Sequence, residues 1–177
     1  ALAGFDAVRN HRGPEQPDTA VEPSIAVNPA NPKNAVIGFQ SGRVDAGGDA
    51  TNGVAVTFDA GKTWRNGIVP GLTRTRGGGF DRASDSVVAF GPRNTVYYSS
   101  LVFDDTSNNG LRSAIVNSTS HNGGRTWDQP TIVQDDLGGG LNDKNWLVVD
   151  NGAGAGHHLG RVYVVWDRVA GLIAKYS

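Results

Sequence analysis

The chain has 177 residues, long enough for a substantial buried core, and 38% of them are hydrophobic while 19% are charged. Its 16 Lys and Arg residues nearly balance 17 Asp and Glu residues, so the net charge of −1 argues against binding to nucleic acid or to an anionic membrane surface. No apolar run approaches the roughly 18 residues of a membrane-spanning helix, and the absence of Cys excludes a disulfide framework.

Turn-forming residues dominate the composition, with 25 Gly and 8 Pro, and the hydrophobic runs are short and rich in Val, Ile, Tyr and Trp. This combination predicts an all-β protein. Residues 1–21 lack periodicity and are expected to form an irregular lead-in. The chain has no Met and opens with Ala1-Leu2-Ala3, an A-x-A pattern whose two small alanines suit a signal-peptidase site, so we expect a secreted or periplasmic protein.

Short strand patterns recur along the rest of the chain with a period of about 60 residues. Four short strands in a period of this length are typical of a β-propeller, so residues 22–177 are predicted to form part of one, with four-stranded antiparallel blades. About two and three-quarter blades are present, spanning about 22–70, 84–135 and 143–177. The predicted strands are 23–28, 34–40, 53–58 and 64–69, then 85–90, 95–103, 111–118 and 126–134, and finally 145–149, 161–166 and 172–176.

Two octapeptides between the third and fourth strands share one pattern: residues 57–64 read TFDAGKTW and residues 120–127, 63 positions later, read SHNGGRTW. The carboxylate or amide at the third position can accept hydrogen bonds from backbone N–H groups of its own turn. Glycine tolerates a positive φ, and the indole can fill the space beneath the hairpin. The residues predicted to be structural for this reason are Asp59, Gly61, Thr63, Trp64, Asn122, Gly124, Thr126 and Trp127.

The octapeptides resemble the Asp-box, or BNR repeat, S/T-x-D-x-G-x-T-W, of sialidase-like β-propellers, and the resemblance covers nearly everything from Glu22 onward. Thr57 replaces Ser, and Asn122 replaces Asp but keeps an acceptor oxygen. Ser177 lies where a third box would begin, so the third repeat is expected to be incomplete. Sialidases, other glycoside hydrolases, sorting receptors and photosystem assembly factors all carry this box, so it predicts architecture and leaves function open.

The resemblance also implies a ligand site at the central channel, on the face opposite the boxes. In this family that site is built from loops that lead into the first strands and loops that join the second strands to the third. Each charged residue there has an ordinary alternative role in capping strands, bonding turns or solvating the channel mouth, and for any single residue that role is favoured. The candidate substrate-binding residues are Arg43, Asp81, Arg82, Asp85, Asp143 and Lys144.

Residues 38–43 (GFQSGR) are similar to the sialidase strand that ends in an arginine of the carboxylate-binding triad and precedes the acid/base aspartate. The resemblance implies that Arg43 binds a sugar carboxylate and that Asp49, or alternatively Asp45, is the general acid. The family's R-I-P arginine is absent, because residues 22–24 read EPS. A glutamate there would repel a sialic acid carboxylate, which argues against ordinary sialidase activity.

An oxygen-rich segment, residues 104–110 (DDTSNNG), offers Asp104, Asp105 and Asn108 as ligands for a hard cation. A calcium site and an Asx-rich surface turn both fit this composition, and the turn is favoured. No cofactor other than this calcium is indicated.

Two functions remain open for the intact protein. The first is an extracellular, glycan-directed, sialidase-like glycoside hydrolase, and the alternative is a non-catalytic propeller that binds carbohydrate or protein. The expected partners are a carbohydrate or glycoprotein, together with the remaining blades of the same protein or another copy. An incomplete ring leaves a sheet face and strand edges uncovered, so the isolated chain is expected to self-associate.

Overall fold

The computed structural model describes residues 16–104, 112–137 and 140–170. Within these ranges the chain is all-β, as the composition predicts, apart from a single 3₁₀ turn at Arg74–Arg76. No helix in the described part is long and apolar enough to cross a membrane. The strands are β1 (Ala20–Val27), β2 (Ala35–Arg43), β3 (Asp49–Thr57), β4 (Arg65–Ile68), β5 (Arg82–Phe90), β6 (Val96–Phe103), β7 (Ser113–Ser120), β8 (Thr131–Asp135), β9 (Gly140–Val149) and β10 (Val162–Ala170).

The first two repeats are antiparallel meanders of four strands each. Strands β1 to β4 pair in chain order, and strands β5 to β8 do the same. Strand pairing joins the two meanders at one residue pair, Asp49 of β3 and Ala83 of β5. Strands β9 and β10 form an antiparallel pair that begins the third repeat, and its expected third strand, 172–176, lies outside the described residues.

Several strand boundaries differ from the sequence-based expectation. Strands β1, β3, β5 and β9 begin three to five residues earlier than predicted, and β2 and β10 end three and four residues later. Strand β8 begins at Thr131 instead of residue 126. Residues 126 and 127 are held in the preceding turn, and Pro130 has no N–H group to donate to the sheet. The fourth strand of the second repeat is therefore short.

The first strands of the repeats lie side by side, with β1 packed against β5 and β5 against β9. Each contains a β-bulge at the same place, where two of its residues oppose one residue of the neighbouring strand. The residue at the bulge is Glu22, Asp85 or Lys144, with φ of +49°, +46° and +47°. A positive φ costs a non-glycine residue on the order of 1 kcal/mol or more. The same strained bulge is therefore a shared structural feature of all three first strands.

The main core is shared by the two complete meanders. Val36, Val54 and Val56 from the first pack with Val88 and Tyr98 from the second, along with other apolar residues of both. The Tyr98 hydroxyl is fully buried and donates a hydrogen bond of 2.8 Å to the Gly53 carbonyl of β3. Burial raises the pKa of Tyr98 well above its usual range, so the phenol stays neutral and its hydrogen bond connects β6 of the second meander to β3 of the first.

The first repeated turn, residues 57–64, is closed by its own side chains. Asp59 Oδ1 accepts the Thr63 backbone N–H at 2.9 Å, and the Thr63 hydroxyl donates to Asp59 Oδ2 at 2.5 Å. Thr57 Oγ1 accepts the Gly61 backbone N–H at 3.0 Å. Hydrogen bonds from the side chain and then the backbone of Thr63, with one from Thr57, hold the pKa of Asp59 at about 2.

The second repeated turn, residues 120–127, is closed by the same two backbone hydrogen bonds, and one side-chain bond is reversed. Asn122 Oδ1 accepts the Thr126 backbone N–H at 2.9 Å, and Ser120 Oγ accepts the Gly124 backbone N–H at 2.9 Å. The Asn122 amide donates to Thr126 Oγ1 at 2.7 Å, so the threonine hydroxyl accepts here instead of donating. The turn therefore keeps its geometry with an amide in place of the carboxylate.

The two indoles of these turns lie in different surroundings. Trp64 Nε1 donates to the Gly61 carbonyl at 3.1 Å, whereas Trp127 packs on the core and meets Tyr98 edge to face, with ring centroids 5.6 Å apart. The second turn also places the Arg125 guanidinium 3.4 Å from the centroid of the Phe58 ring of the first repeat. Trp127 also lines a cavity with Val54 and Val56 of the first repeat, so the second turn packs against the preceding meander.

Candidate functional site

A groove of about 570 Å³ lies between the first strands of the three repeats. It is lined by three equivalent segments, 22–25, 85–88 and 144–147, and each segment begins with the bulge residue of its strand. The repeated bulges therefore bring Glu22, Asp85 and Lys144 to one groove. The sequence-based prediction selected Asp85 and Lys144 as site residues but not Glu22, which stands in the place of the family's absent arginine.

A buried amide joins the two carboxylates of this groove. Gln40, on β2, is fully buried, and its Nε2 donates to Glu22 Oε2 at 2.8 Å and to Asp85 Oδ1 at 3.4 Å. Its Oε1 accepts from Arg43 Nη1 at 3.4 Å. Sequence reasoning did not select Gln40, although an amide in a strand that is otherwise rich in apolar residues was a visible signal.

Asp85 also holds the start of the third repeat in place. Its Oδ2 accepts the Lys144 backbone N–H at 3.0 Å, and its backbone carbonyl accepts from Asn145 Nδ2 at 3.0 Å. Asp143 Oδ1 accepts the same Lys144 N–H at 2.9 Å, while the Asp143 and Lys144 side chains are exposed. The predicted residues Asp85, Asp143 and Lys144 are therefore brought together.

Asp49, the first residue of β3, combines complete burial of its carboxyl group with a strongly raised pKa. Its side chain is fully buried, and its Oδ2 lies 3.5 Å from Nη1 of Arg43, its partner in the strand pairing. Its Oδ1 has no hydrogen-bond partner in the described part of the chain. Burial raises the pKa of Asp49 to about 7 against the opposing effect of Arg43, and the nearby charges of Glu22 and Asp85 raise it further. Asp49 is therefore partly protonated at neutral pH.

Three other predicted site residues are engaged elsewhere. Asp45 is exposed and accepts a hydrogen bond from the Gln16 side chain. Asp81 forms an ion pair with Arg74. Arg82 is buried, and its guanidinium donates to the Gly47 carbonyl at 2.8 Å.

The predicted calcium ligands are described only in part. Asp104 is buried and lies 2.7 Å from Arg74 Nη1 in an ion pair, while Asp105 and Asn108 lie outside the described residues. Within the described ranges, no three His, Cys, Asp or Glu side chains are grouped closely enough to hold a metal ion.

No protein-family model matches the sequence, and no curated protein matches it. Among solved structures, the Hadza microbial sialidase Hz136 is similar over 63% of this chain and 25% of its own, with 15% identity and a TM-score of 0.49. The Trypanosoma rangeli sialidase in complex with the inhibitor DANA is similar over 85% of this chain and 29% of its own, with 15% identity and a TM-score of 0.46. The chain thus spans less than a third of the length of either protein, and the likeness assigns no function to its residues.

Proposed function

We propose that the chain forms consecutive blades of an Asp-box, sialidase-like β-propeller, and that the intact protein is a secreted or periplasmic glycoside hydrolase. Two features support this architecture: the successive antiparallel meanders, and the turns after their third strands, which are closed by equivalent backbone hydrogen bonds. The adjacent first strands, with bulges in register, support a central channel that begins at the groove between them.

The observation that carries the proposed activity is the raised pKa of Asp49. A general acid must hold its proton at the working pH and still release it readily, which is easiest when its pKa is close to that pH. With a pKa of about 7, roughly half of the Asp49 carboxyl groups carry a proton at neutral pH. An ordinary aspartate, with a pKa near 3.9, is protonated in only about one molecule in a thousand at that pH.

Arg43 controls access to this proton in the proposed mechanism. The Asp49 side chain is fully buried, whereas 36% of the Arg43 side chain is exposed, and their contact at 3.5 Å is long for an ion pair. A bound sugar would draw the Arg43 guanidinium onto its own oxygen atoms and open Asp49 to the glycosidic oxygen. Moving the positive charge of Arg43 away from Asp49 also favours the protonated form of Asp49, which holds its proton until the proton passes to the glycosidic oxygen.

The proton of Asp49 would then pass to the glycosidic oxygen as the bond between that oxygen and the anomeric carbon breaks. The bonding electrons remain with the leaving oxygen, and water supplies the hydroxyl group that the anomeric carbon gains. The net reaction consumes one water, and Asp49 recovers its proton from that water.

The test is turnover of fluorogenic glycosides, neutral and anionic, by the full-length protein. Asp49→Asn should lower kcat by at least about 100-fold, the contribution typical of a general acid. Asp128→Asn is the matched control, because Asp128 is exposed in the segment that follows the second repeated turn, away from the groove. An intact protein that hydrolyses none of these glycosides would contradict the proposed activity.

A second candidate, a non-catalytic glycan-binding propeller, is favoured by one observation. Glu22 lines the groove and is held by Gln40, at the position where the resemblance to sialidases would place an arginine. In that case sugars would bind without turnover, and Asp49→Asn would leave their affinity unchanged.

A further inference from the structure

We infer that the groove selects an uncharged hexopyranose and discriminates against sugar acids. The inference rests on the proposed glycan-binding role of this groove and names the substrate class. It does not require that the bound sugar be hydrolysed.

The first reason is the charge of the groove. The carboxylates of Glu22 and Asp85 both lie within hydrogen-bond distance of one nitrogen, Gln40 Nε2, so two negative charges share a small volume. Asp143 is exposed next to them and Lys144, the cation of the lining, offsets only part of this charge. A sugar carboxylate placed here would face like charges at short range.

The nearby arginine lowers this negative charge without reversing it, because the carboxylates of Glu22, Asp85 and Asp143 outnumber the cations Lys144 and Arg43. Arg43 lies 3.5 Å from Asp49, and it also donates to the side-chain oxygen Oε1 of Gln40. The amide of Gln40 is thereby oriented with its nitrogen toward the two carboxylates, which holds them in the groove. The buried network therefore favours a ligand that donates hydrogen bonds to carboxylate oxygens, and sugar hydroxyl groups are such donors.

The second reason is an aromatic surface in the same groove. Trp146, in β9, lines the groove and is 52% exposed, and Pro23 and Ile25 of β1 line the opposite side. An exposed indole beside hydrogen-bonding groups suits a ligand that has one apolar face and polar edges. A hexopyranose ring has this form, with C–H groups on its face and hydroxyls at its edge.

The experiment measures binding to the full-length protein by isothermal titration calorimetry, with methyl β-D-galactopyranoside and methyl β-D-glucopyranoside as neutral probes and N-acetylneuraminic acid as the anionic probe. At low salt the unmodified protein should bind at least one neutral probe at least tenfold more tightly than the anionic probe. Added salt should reduce the ratio of the affinities for the neutral and anionic probes, because it screens the repulsion between the sugar carboxylate and the carboxylates of the groove. Equal or tighter binding of the anionic probe, or no binding of any probe, would overturn the inference.

Two variants assign the selectivity to named residues. Glu22→Gln keeps the shape of the side chain and removes its charge, so the preference for the neutral probe should fall at least fivefold. Trp146→Ala removes an exposed side chain and should weaken binding of the neutral probe at least tenfold. Asp128→Asn, away from the groove, should change neither the preference for the neutral probe nor the affinity for it. Unchanged selectivity in both the Glu22→Gln and the Trp146→Ala variants would refute the assignment of the selectivity to these residues.

The selectivity of binding and the proposed hydrolase activity can fail independently of each other. Selective binding without turnover would leave this inference standing and remove the catalytic role of Asp49. Turnover of sugar acids as efficient as turnover of neutral glycosides would remove this inference and leave the hydrolase standing.

Discussion

The two repeated turns contain equivalent glycines whose surroundings differ, and replacing each by alanine measures the packing of one repeat on the other. Gly61 and Gly124 have φ of +84° and +96°. A Cβ atom at Gly124 would lie 2.8 Å from Val36 Cγ2 and 3.0 Å from Val56 Cγ2, both in the first repeat. At Gly61 the nearest atom would be 3.7 Å away, in Trp64, which is an ordinary contact.

Both substitutions incur the cost of a positive φ for alanine, which is about 1 kcal/mol. Only Gly124→Ala also overpacks the core, at about 1–3 kcal/mol. We therefore expect the free energy of unfolding to fall by about 1 kcal/mol for Gly61→Ala and about 2–4 kcal/mol for Gly124→Ala.

Urea unfolding followed by tryptophan fluorescence gives both values, and an unchanged denaturant slope shows that the variants unfold as the original chain does. Equal losses in the two variants would mean that the second turn does not pack against the first repeat. The reasoning about successive, stacked sheets would then fail.

Two further substitutions probe buried polar groups. Burial raises the pKa of Asp49 from 3.8 to about 7, so the folded chain binds this proton more tightly than the unfolded chain. The protonated carboxyl therefore contributes fully to the free energy of unfolding below about pH 4, and this contribution is lost as the pH rises to about 7. Asp49→Asn should make the decrease in the free energy of unfolding between these pH values smaller by up to about 4 kcal/mol in denaturant titrations, and an unchanged pH profile would contradict the prediction. Tyr98→Phe removes the 2.8 Å hydrogen bond to Gly53 and should lower the free energy of unfolding by about 1–2 kcal/mol, measured by thermal denaturation; no loss would show that this bond does not stabilise the core.

The elements that the sequence predicts best are those specified by neighbouring residues. The strands alternate with clear turn signals, and each octapeptide closes its own turn through side chains four positions apart, as in the bond from Thr63 to Asp59. Strand β8 begins later than predicted because part of the mixed sequence before Pro130 belongs to the turn, where the Thr126 backbone N–H donates to Asn122.

The candidate site depends on contacts between residues that are far apart in sequence, and these were harder to predict. Gln40 joins carboxylates from two repeats, and Trp146 reaches the groove only because β9 packs beside β5. The bulge residues Glu22, Asp85 and Lys144 share only a charged side chain three residues before an apolar residue, a spacing too common to predict a bulge. No such signal marks the burial of Asp49, which follows from how β2 and β3 pair.

The ionisation of Asp49 is the most direct test of the proposed site. Carbon-13 NMR of the chain labelled at aspartate carboxyl groups, with Asp49→Asn to assign the resonance, gives the titration midpoint. The midpoint should be about 7, and Glu22→Gln should lower it because one nearby negative charge is removed. A midpoint near the ordinary value of about 4 would contradict the assignment of Asp49 as a proton donor at neutral pH.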